Sequence, residues 1–480
     1  MGEAQGIVYT AEFNKAARVE VSPLALTEDP GALYLRDVWE KLGITNRLAG
    51  FVDHRDRGRI THPLVEILRS RVFLIAQGWV DQDDADTLRR DPAFRLAVST
   101  RTGERPLLQA EAAREPEGLP SQPTQSRLQS MLAGEYNRRE FERAVLRTGI
   151  AGMTLVHGRR DTVVLDVDSF ADEVHGSQDG AAYNGHYRKT CYHPLIAFTD
   201  TGDLVGVRIR PGNVPSARDV RSFLGPIISA LQEVCGEVWV RMDAGFADGK
   251  LYAWLRKQGV RYLLRLKSNA ALGKEVAEWE KAVVASWATP APDGKPREAT
   301  REFWYRSGAW TYTERVVAVA IERTAKHGEL FHNVFYLVTN LARPQATSRL
   351  ILDCYRQRGT AEGYIGDFVG TIAPTLSSVA RCREGAPPHK RRIAMAENGV
   401  SLLLSALAYE LMHVTRCLLE KGTGLGFSLR RVRERLLKAA TSVVRHARRI
   451  HFRICATKED LWRVAAAFLA ELGAAQEVPA

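Results

Sequence analysis

Cysteine is scarce in this chain: six occur among 480 residues (Cys191, Cys235, Cys354, Cys382, Cys417 and Cys455), and no two form a Cys-x2-Cys pair. That spacing argues against a zinc knuckle and a disulfide framework, and leaves the thiols as small buried apolar groups. Long apolar runs are missing too. No stretch reaches the ~18 uninterrupted apolar residues of a membrane span, and the N-terminus, with Glu3, Glu12 and no apolar core, lacks a secretory pattern. A cytoplasmic protein with no membrane partner is expected. No internal repeat is visible. Acids are outnumbered, 56 against 67 Lys and Arg, for a net charge of +11. From Arg381 to Cys455 there are 16 bases and 5 acids, which accounts for the whole excess. A positive segment of this kind suits a polyphosphate partner, because each neutralised phosphate releases counterions and adds affinity.

A hydrophobic fraction of 45% supports a substantial core, and the length allows about three domains. Residues 1–150 read as helical. Tyr34 to Leu42 and Pro63 to Gln77 carry apolar residues at helical spacing, and Asp91 caps a short helix that has Pro92 in its first turn. Residues 103–122 are rich in Gly, Pro, Glu and Arg and read as an exposed connection. Ser121 then introduces a helix to about Arg147. This part suits a DNA-reading helical bundle. From about 160 to 267 strands appear at Thr162 to Asp168, His193 to Thr199 and Leu204 to Pro211. A helix over Ala217 to Val234, the Val238 strand, a helix over Gly249 to Lys257 and the strand from Arg261 to Lys267 follow. Such an order fits a mixed sheet covered by helices. Residues 271–342 read as a polar stretch and then a β-rich insertion, with strands at Glu302 to Tyr305, Arg315 to Ile321 and Val334 to Thr339. A motif helix is expected from about Ala346 to Phe368, and a long apolar helix near Ile393 to Leu418. The expected divisions are 1–150, 151–270, 271–342, 343–420 and a basic region 421–480.

Three acids stand out. Asp168 closes the apolar run that begins at Val163, and Asp243 closes Val238-Trp-Val-Arg-Met-Asp243 just before Gly245. Both sit at strand ends, where ligands of α/β sheets collect. The third is Glu362. On a continuous helix Tyr355, Arg358 and Glu362 fall within about 60° of one another, so a hydroxyl, a guanidinium and a carboxylate share one face. Hydrolysis of a phosphodiester needs an oxygen nucleophile made at neutral pH and a stabilised leaving oxygen. Two divalent ions roughly 3.5–4 Å apart supply both. Such ions are hard and prefer oxygen, so three carboxylates suffice for a pair and no histidine or cysteine is required. Asp166 and Asp168 lie two apart on one strand and project to the same sheet face; geometry leaves either as the first ligand. Gly245 is expected to let the chain turn sharply. Gly359 and Gly363, each costing roughly 1 kcal/mol inside a helix, suggest a close approach to the backbone.

These motifs resemble the DDE transposases of bacterial insertion sequences, specifically the insertion-sequence family numbered thirteen-eighty within the group that carries a Tyr-x2-Arg-x3-Glu signature. The carriers are Leu165-Asp-Val-Asp168, His175-Gly-Ser-Gln-Asp-Gly-Ala-Ala-Tyr-Asn184, Tyr192-His-Pro-Leu195, Arg210-Pro-Gly-Asn213, Asp243-Ala-Gly-Phe246, Arg358-Gly-Thr-Ala-Glu362 and Leu407-Ala-Tyr409. The resemblance covers most of the chain. It implies a ribonuclease-H-like catalytic domain: an α/β mixed sheet with helices on both faces, a β-rich insertion before the catalytic Glu helix and a helical N-terminal domain. It also implies cut-and-paste movement of an element bounded by terminal inverted repeats. Asp168, favoured over Asp166 by the family pattern, Asp243 and Glu362 would be catalytic and bind two Mg²⁺, with Mn²⁺ able to substitute. The partners would be double-stranded DNA, as terminal repeats and target, and a second copy of the chain on that DNA, in a bacterial cytoplasm. Arg358 would grip a phosphate, and Tyr355 would lie near the cleaved end. Arg188 and Lys189 would touch DNA from the loop of His175 to Lys189. Trp304 and Trp310 fit either core packing or stacking on a flipped base. Two positions depart from the wider group. Val369 stands where a lysine is usual, seven residues after the glutamate, and Phe170 where a threonine is usual. Either activity is reduced or the Arg and Lys residues from Arg381 to Arg392, Arg391 and Arg392 among them, take over phosphate contact; a nuclease without strand transfer, or a catalytically silent DNA-binding relict or repressor, is the alternative.

Overall fold

The computed structural model describes residues 7–13, 16–22, 24–99, 118–176, 178–287, 296–324, 330–376, 388–446 and 449–473, the side chains of 7, 323–324, 330–331 and 388–392 excepted. Eight strands form one sheet: β1 (Arg160–Ser169), β2 (Leu195–Thr199), β3 (Leu204–Arg208), β4 (Cys235–Met242), β5 (Arg261–Leu266), β6 (Glu298–Tyr305), β7 (Glu314–Thr324) and β8 (Leu330–Thr339). Their order across the sheet is β6-β7-β8-β5-β4-β1-β2-β3. Strand β4 runs parallel to both β1 and β5, and every other pairing is antiparallel. This is a large mixed α/β sheet, compatible with the ribonuclease-H-like expectation. The centre was legible because the run Val163 to Val167 is apolar except for Asp166, and the odd-numbered Val163, Leu165 and Val167 pack into one core layer.

The strands of the β-rich stretch continue this sheet from β5, with Leu263 to Leu266 paired against Tyr336 to Thr339. Their sequence shows why. Val316, Ala318, Tyr336 and Val338 fill one core layer, whereas Val317, Val319 and Leu337 fill the opposite one. Strands apolar on both faces need cover on both faces. The polar stretch before them is a helix, Ala270–Ser286, capped by Asn269, whose side chain accepts from the Leu272 N–H at 2.9 Å. Only Leu272 and Val276 are fully buried along it, too thin a stripe to read as a helix face.

Helices cover the two sheet faces. On the face with β1's apolar side lie α1 (Val220–Gln232) and α2 (Gly249–Lys257), joined by Leu146, Ile150 and Met153 of the helix Glu135–His157. The opposite face carries α3 (Ser348–Arg356) and α4 (Arg358–Asp367), through Ile351, Leu352 and Tyr355. The motif helix therefore breaks at Gln357, where the chain keeps right-handed dihedrals (φ −61°, ψ −13°) but shifts hydrogen bonding. After α4 the coil widens over Phe368–Ile372 and ends at Ala373, with φ +50°. The helix expected from Ser121 to about Arg147 likewise divides, at Ala133 and Gly134, into Gln122–Leu132 and Glu135–His157.

A long helix, α5 (Pro388–Thr423), forms the axis of a third core. Its segment Ile393–Thr423 is long and apolar enough to cross a membrane, yet its apolar window is entirely buried within the protein. Helices Gly31–Lys41, Leu64–Gln77 and Glu459–Glu471 share this core with β2 and β3. Asp91 caps Pro92–Val98 as expected, accepting from the Ala93 and Phe94 N–H groups at 2.9 Å. The connection at 103–122 lies outside the described residues up to 117.

Candidate active site

Parallel pairing of β1 with β4 aligns Val167 with Met242. Asp168 and Asp243 follow one residue later, at adjacent strand ends and on the same face. Asp166 is instead held in a buried ion pair. Arg241, opposite it on β4, grips both of its oxygens at 2.6 Å, and the two side chains are 2% and 5% exposed. The guanidinium also donates to the Cys354 carbonyl of α3. This buried pair bolts the motif helix to the sheet below the two strand ends. Arg241 was findable from the sequence: a lone arginine in the apolar strand, two before Asp243, faces the same way as the aspartates.

Asp168 accepts the Ser169 N–H at 2.8 Å and an ion pair from Arg358, the first residue of α4. The same guanidinium reaches Glu362 at 3.0 Å. Arg358 thus joins the first-strand aspartate to the helix glutamate, and its own side chain is only 15% exposed, while Glu362 is 65% exposed. Asp243 caps the short turn Ala244–Phe246 by accepting the Gly245 N–H at 2.8 Å. Asp248, and not Asp243, caps α2. Gly245 lies inside this tight turn, with a backbone outside the left-handed region. A Cβ there would meet Asp243 Oδ1 at 3.0 Å and Ser216 Oγ at 3.1 Å, so the residue is small to let these groups approach.

Burial pushes Asp168 up to about 6, with the charges of Asp243 and Glu362 adding to the rise and Arg358 and the Ser169 N–H opposing it. Burial raises the Tyr355 and Tyr187 hydroxyls, and the charges of Asp168 and Asp243 add to the rise in each. Tyr187 was not singled out by sequence. It reaches the site because Asn184 Oδ1 accepts the His186 N–H at 3.0 Å and turns the loop back, which lets the Tyr187 hydroxyl donate to the Ser169 carbonyl at 3.3 Å. The adjoining Arg188 takes φ +55°, and it is exposed. Among the described residues no three His, Cys, Asp or Glu side chains are grouped closely enough to hold a metal ion; the Arg358 guanidinium lies between two of the three carboxylates.

The profile of the family described as Transposase DDE domain group 1 matches residues 10–473. The chain belongs to the DDE transposase family. A search of curated proteins finds no match to it. Family membership makes this transposase a DNA-acting enzyme and gives the strand-end acids a context.

Other expected DNA contacts of the transposase divide. Trp304 stands 60% exposed on the edge strand β6, whereas Trp310 packs edge-on against Tyr252 (5.2 Å) and Tyr305 (5.4 Å). Lys189 is paired with Glu173 at 2.8 Å. The side chains of Arg391 and Arg392 lie outside the described residues. Gly359 and Gly363 continue to Gly366 and Gly370 along α4 and the widened turn, and a Cβ at any of the four would meet nothing within 4 Å. None of the described residues comes within 4 Å of a Cβ built on that face. Val369 packs against the α5 core and Phe170 meets Phe368 at 5.9 Å. Both departures from the family pattern therefore pack against the core around α5, Phe170 as a buried member and Val369 partly buried.

Proposed function

We propose that the protein is a cut-and-paste transposase of the insertion-sequence family numbered thirteen-eighty, which cleaves DNA at the ends of its element and joins them to a target. The observation that carries this reading is the meeting of Asp168, Asp243 and the Arg358–Glu362 face of α4 at the ends of two parallel strands. The donor set suits Mg²⁺: every candidate ligand is a carboxylate oxygen, and Asp168 rises to about 6 because it is buried near two other carboxylates. Asp168, Asp243 and Glu362 would hold the metal. A bound ion pair supplies an oxygen nucleophile at neutral pH and stabilises the leaving oxygen. For Glu362 to serve, Arg358 has to release it and Asp168. The freed fork then suits bidentate contact with a phosphate of the incoming DNA, and Tyr355 and Tyr187 line the same end of the sheet.

The remaining parts follow from this role. Arg188 and Trp304 are exposed and available to DNA, and Lys189 becomes so once it parts from Glu173. Arg391 and Arg392 are assigned phosphate contact from sequence alone. Two copies acting on two element ends would form a dimer on DNA in the bacterial cytoplasm. Asp243→Ala is expected to abolish Mg²⁺-dependent nicking of DNA carrying the element's ends, with end binding retained. Cleavage by that variant would reject the assignment. Precleaved ends that are bound but never joined to a target would leave a nuclease; absence of any nicking by the unaltered chain would leave a silent DNA-binding protein.

A further inference from the structure

The C-terminal basic excess falls into two chemical kinds. Arg416 and Arg433 are interior: Arg416 pairs with Asp367 at 2.8 Å, and Arg433 donates to the carbonyls of Ile75, Ala76 and Thr371. Lys438 pairs with the buried Asp29 at 2.6 Å, and Arg430 with Glu434 at 2.8 Å. The cations of the hairpin Thr441–His446 and Arg449–Ile454 differ. Arg445, Arg449 and Arg453 are exposed, and among the described residues none of them enters an ion pair. The nearest acid on the terminal helix, Glu459, is already closed by Arg463 at 2.5 Å.

Register sorts the hairpin into two faces. Thr441, Val443, Phe452 and Ile454 share one, with Thr441 and Val443 buried, and Phe452 and Ile454 border Trp462 and Ala466 of the terminal helix. The other presents Arg449, His451 and Arg453 on one strand, opposite His446, Val444 and Ser442 on its neighbour. The strand Arg449–Ile454 is also the outer edge of its three-stranded sheet. Arg449 and Arg453, four residues apart on the strand, stand ~13.6 Å apart, which matches four nucleotides of rise along one DNA strand at ~3.4 Å each. A two-stranded ribbon is narrow enough for the major groove of about 12 Å.

We propose that this ribbon is a DNA-docking surface, separate from the site at Asp168 and Asp243, that enters the major groove of a duplex with Arg449 and Arg453 on its phosphates. The inference rests on the DNA-acting role proposed above. The plain competing account is that these charges merely keep an exposed edge strand from pairing with another chain.

The test uses the full chain, a duplex taken from the DNA flanking its reading frame, and an unrelated duplex of equal length. The Arg449→Gln/Arg453→Gln variant is expected to lower the slope of log affinity against log salt by about 2, near 1 per lost phosphate contact, on both duplexes. The Arg449→Lys/Arg453→Lys variant, which keeps the charge, should restore the slope. A slope unchanged in the Gln variant overturns the ribbon, and aggregation of that variant at an unchanged slope assigns the arginines to edge protection. Wild-type protein that binds neither duplex overturns the ribbon and the DNA-acting role together. Wild-type binding and Asp243-dependent nicking alongside an unaffected Gln variant overturn the ribbon alone.

Discussion

Burial among carboxylates holds Asp168 at about 6, above the 3.8 of a free aspartate. The native state therefore keeps a proton that the unfolded chain releases between those two values. The stabilising contribution is full below pH 3.8, is lost as pH rises to about 6, and leaves a deficit above it. Asp168→Asn removes that deficit. It should raise the melting temperature of the metal-free protein at pH 8, by a stability gain on the order of 2 kcal/mol, and give no gain at pH 3 while abolishing cleavage; equal gains at both pH values would sink the account. The two tryptophans make a second contrast. Trp304 is exposed, so Trp304→Ala should move stability by no more than about 0.5 kcal/mol yet weaken DNA binding by about 1–3 kcal/mol if it stacks on a base. Trp310→Ala should do the reverse, and urea unfolding beside a binding titration separates them.

The helix carrying Glu362 is held at its far end. Asp367 pairs with Arg416 of α5, Tyr364 lies 5.2 Å beneath the same guanidinium, and Phe368 packs between Phe170 and Tyr409. Arg416→Met would leave Asp367 half-buried without its cation, a loss of about 3 kcal/mol readable by urea unfolding. Adding Asp367→Asn should recover most of it. No recovery would mean that the ion pair is not what secures the helix. Much at this scale was readable beforehand. Strands β1, β4 and β5 and the capped helix at Pro92 follow from apolar runs and capping, which are local. The break at Gln357 was not, because each side of it has ordinary helical spacing. Nor was the bridge from Arg358 to Asp168, a contact across 190 positions that no local pattern encodes. Asp168 was preferred to Asp166 on the family pattern; the burial of Asp166 against Arg241 was not legible, because it depends on the register of β1 against β4.

At the scale of the molecule, the first 30 residues were expected to be helical but carry the short strands Ile7–Thr10, Arg18–Glu20 and Leu26–Thr27, and the helices that begin at Gly31 pack with the C-terminal segment on one axis. Trp39, Phe73, Phe94 and Phe141 are fully buried and share a core with Leu403, Leu407 and Met412 of α5 and with Leu469 near the end of the chain. Residues 151–480 alone would uncover the apolar flank of α5. That fragment should bind a hydrophobic dye and unfold without a sharp transition, whereas the full chain is expected to unfold sharply across this core; a fragment with a sharp transition would establish an independent catalytic body. The same architecture governs when the enzyme becomes competent. The aspartates leave the ribosome long before Glu362, and α5, against which that glutamate's helix is fastened, follows later still. On the three-acid site proposed above, a nascent or prematurely terminated product would have two of the acids and nothing to hold the third, and would not cleave DNA.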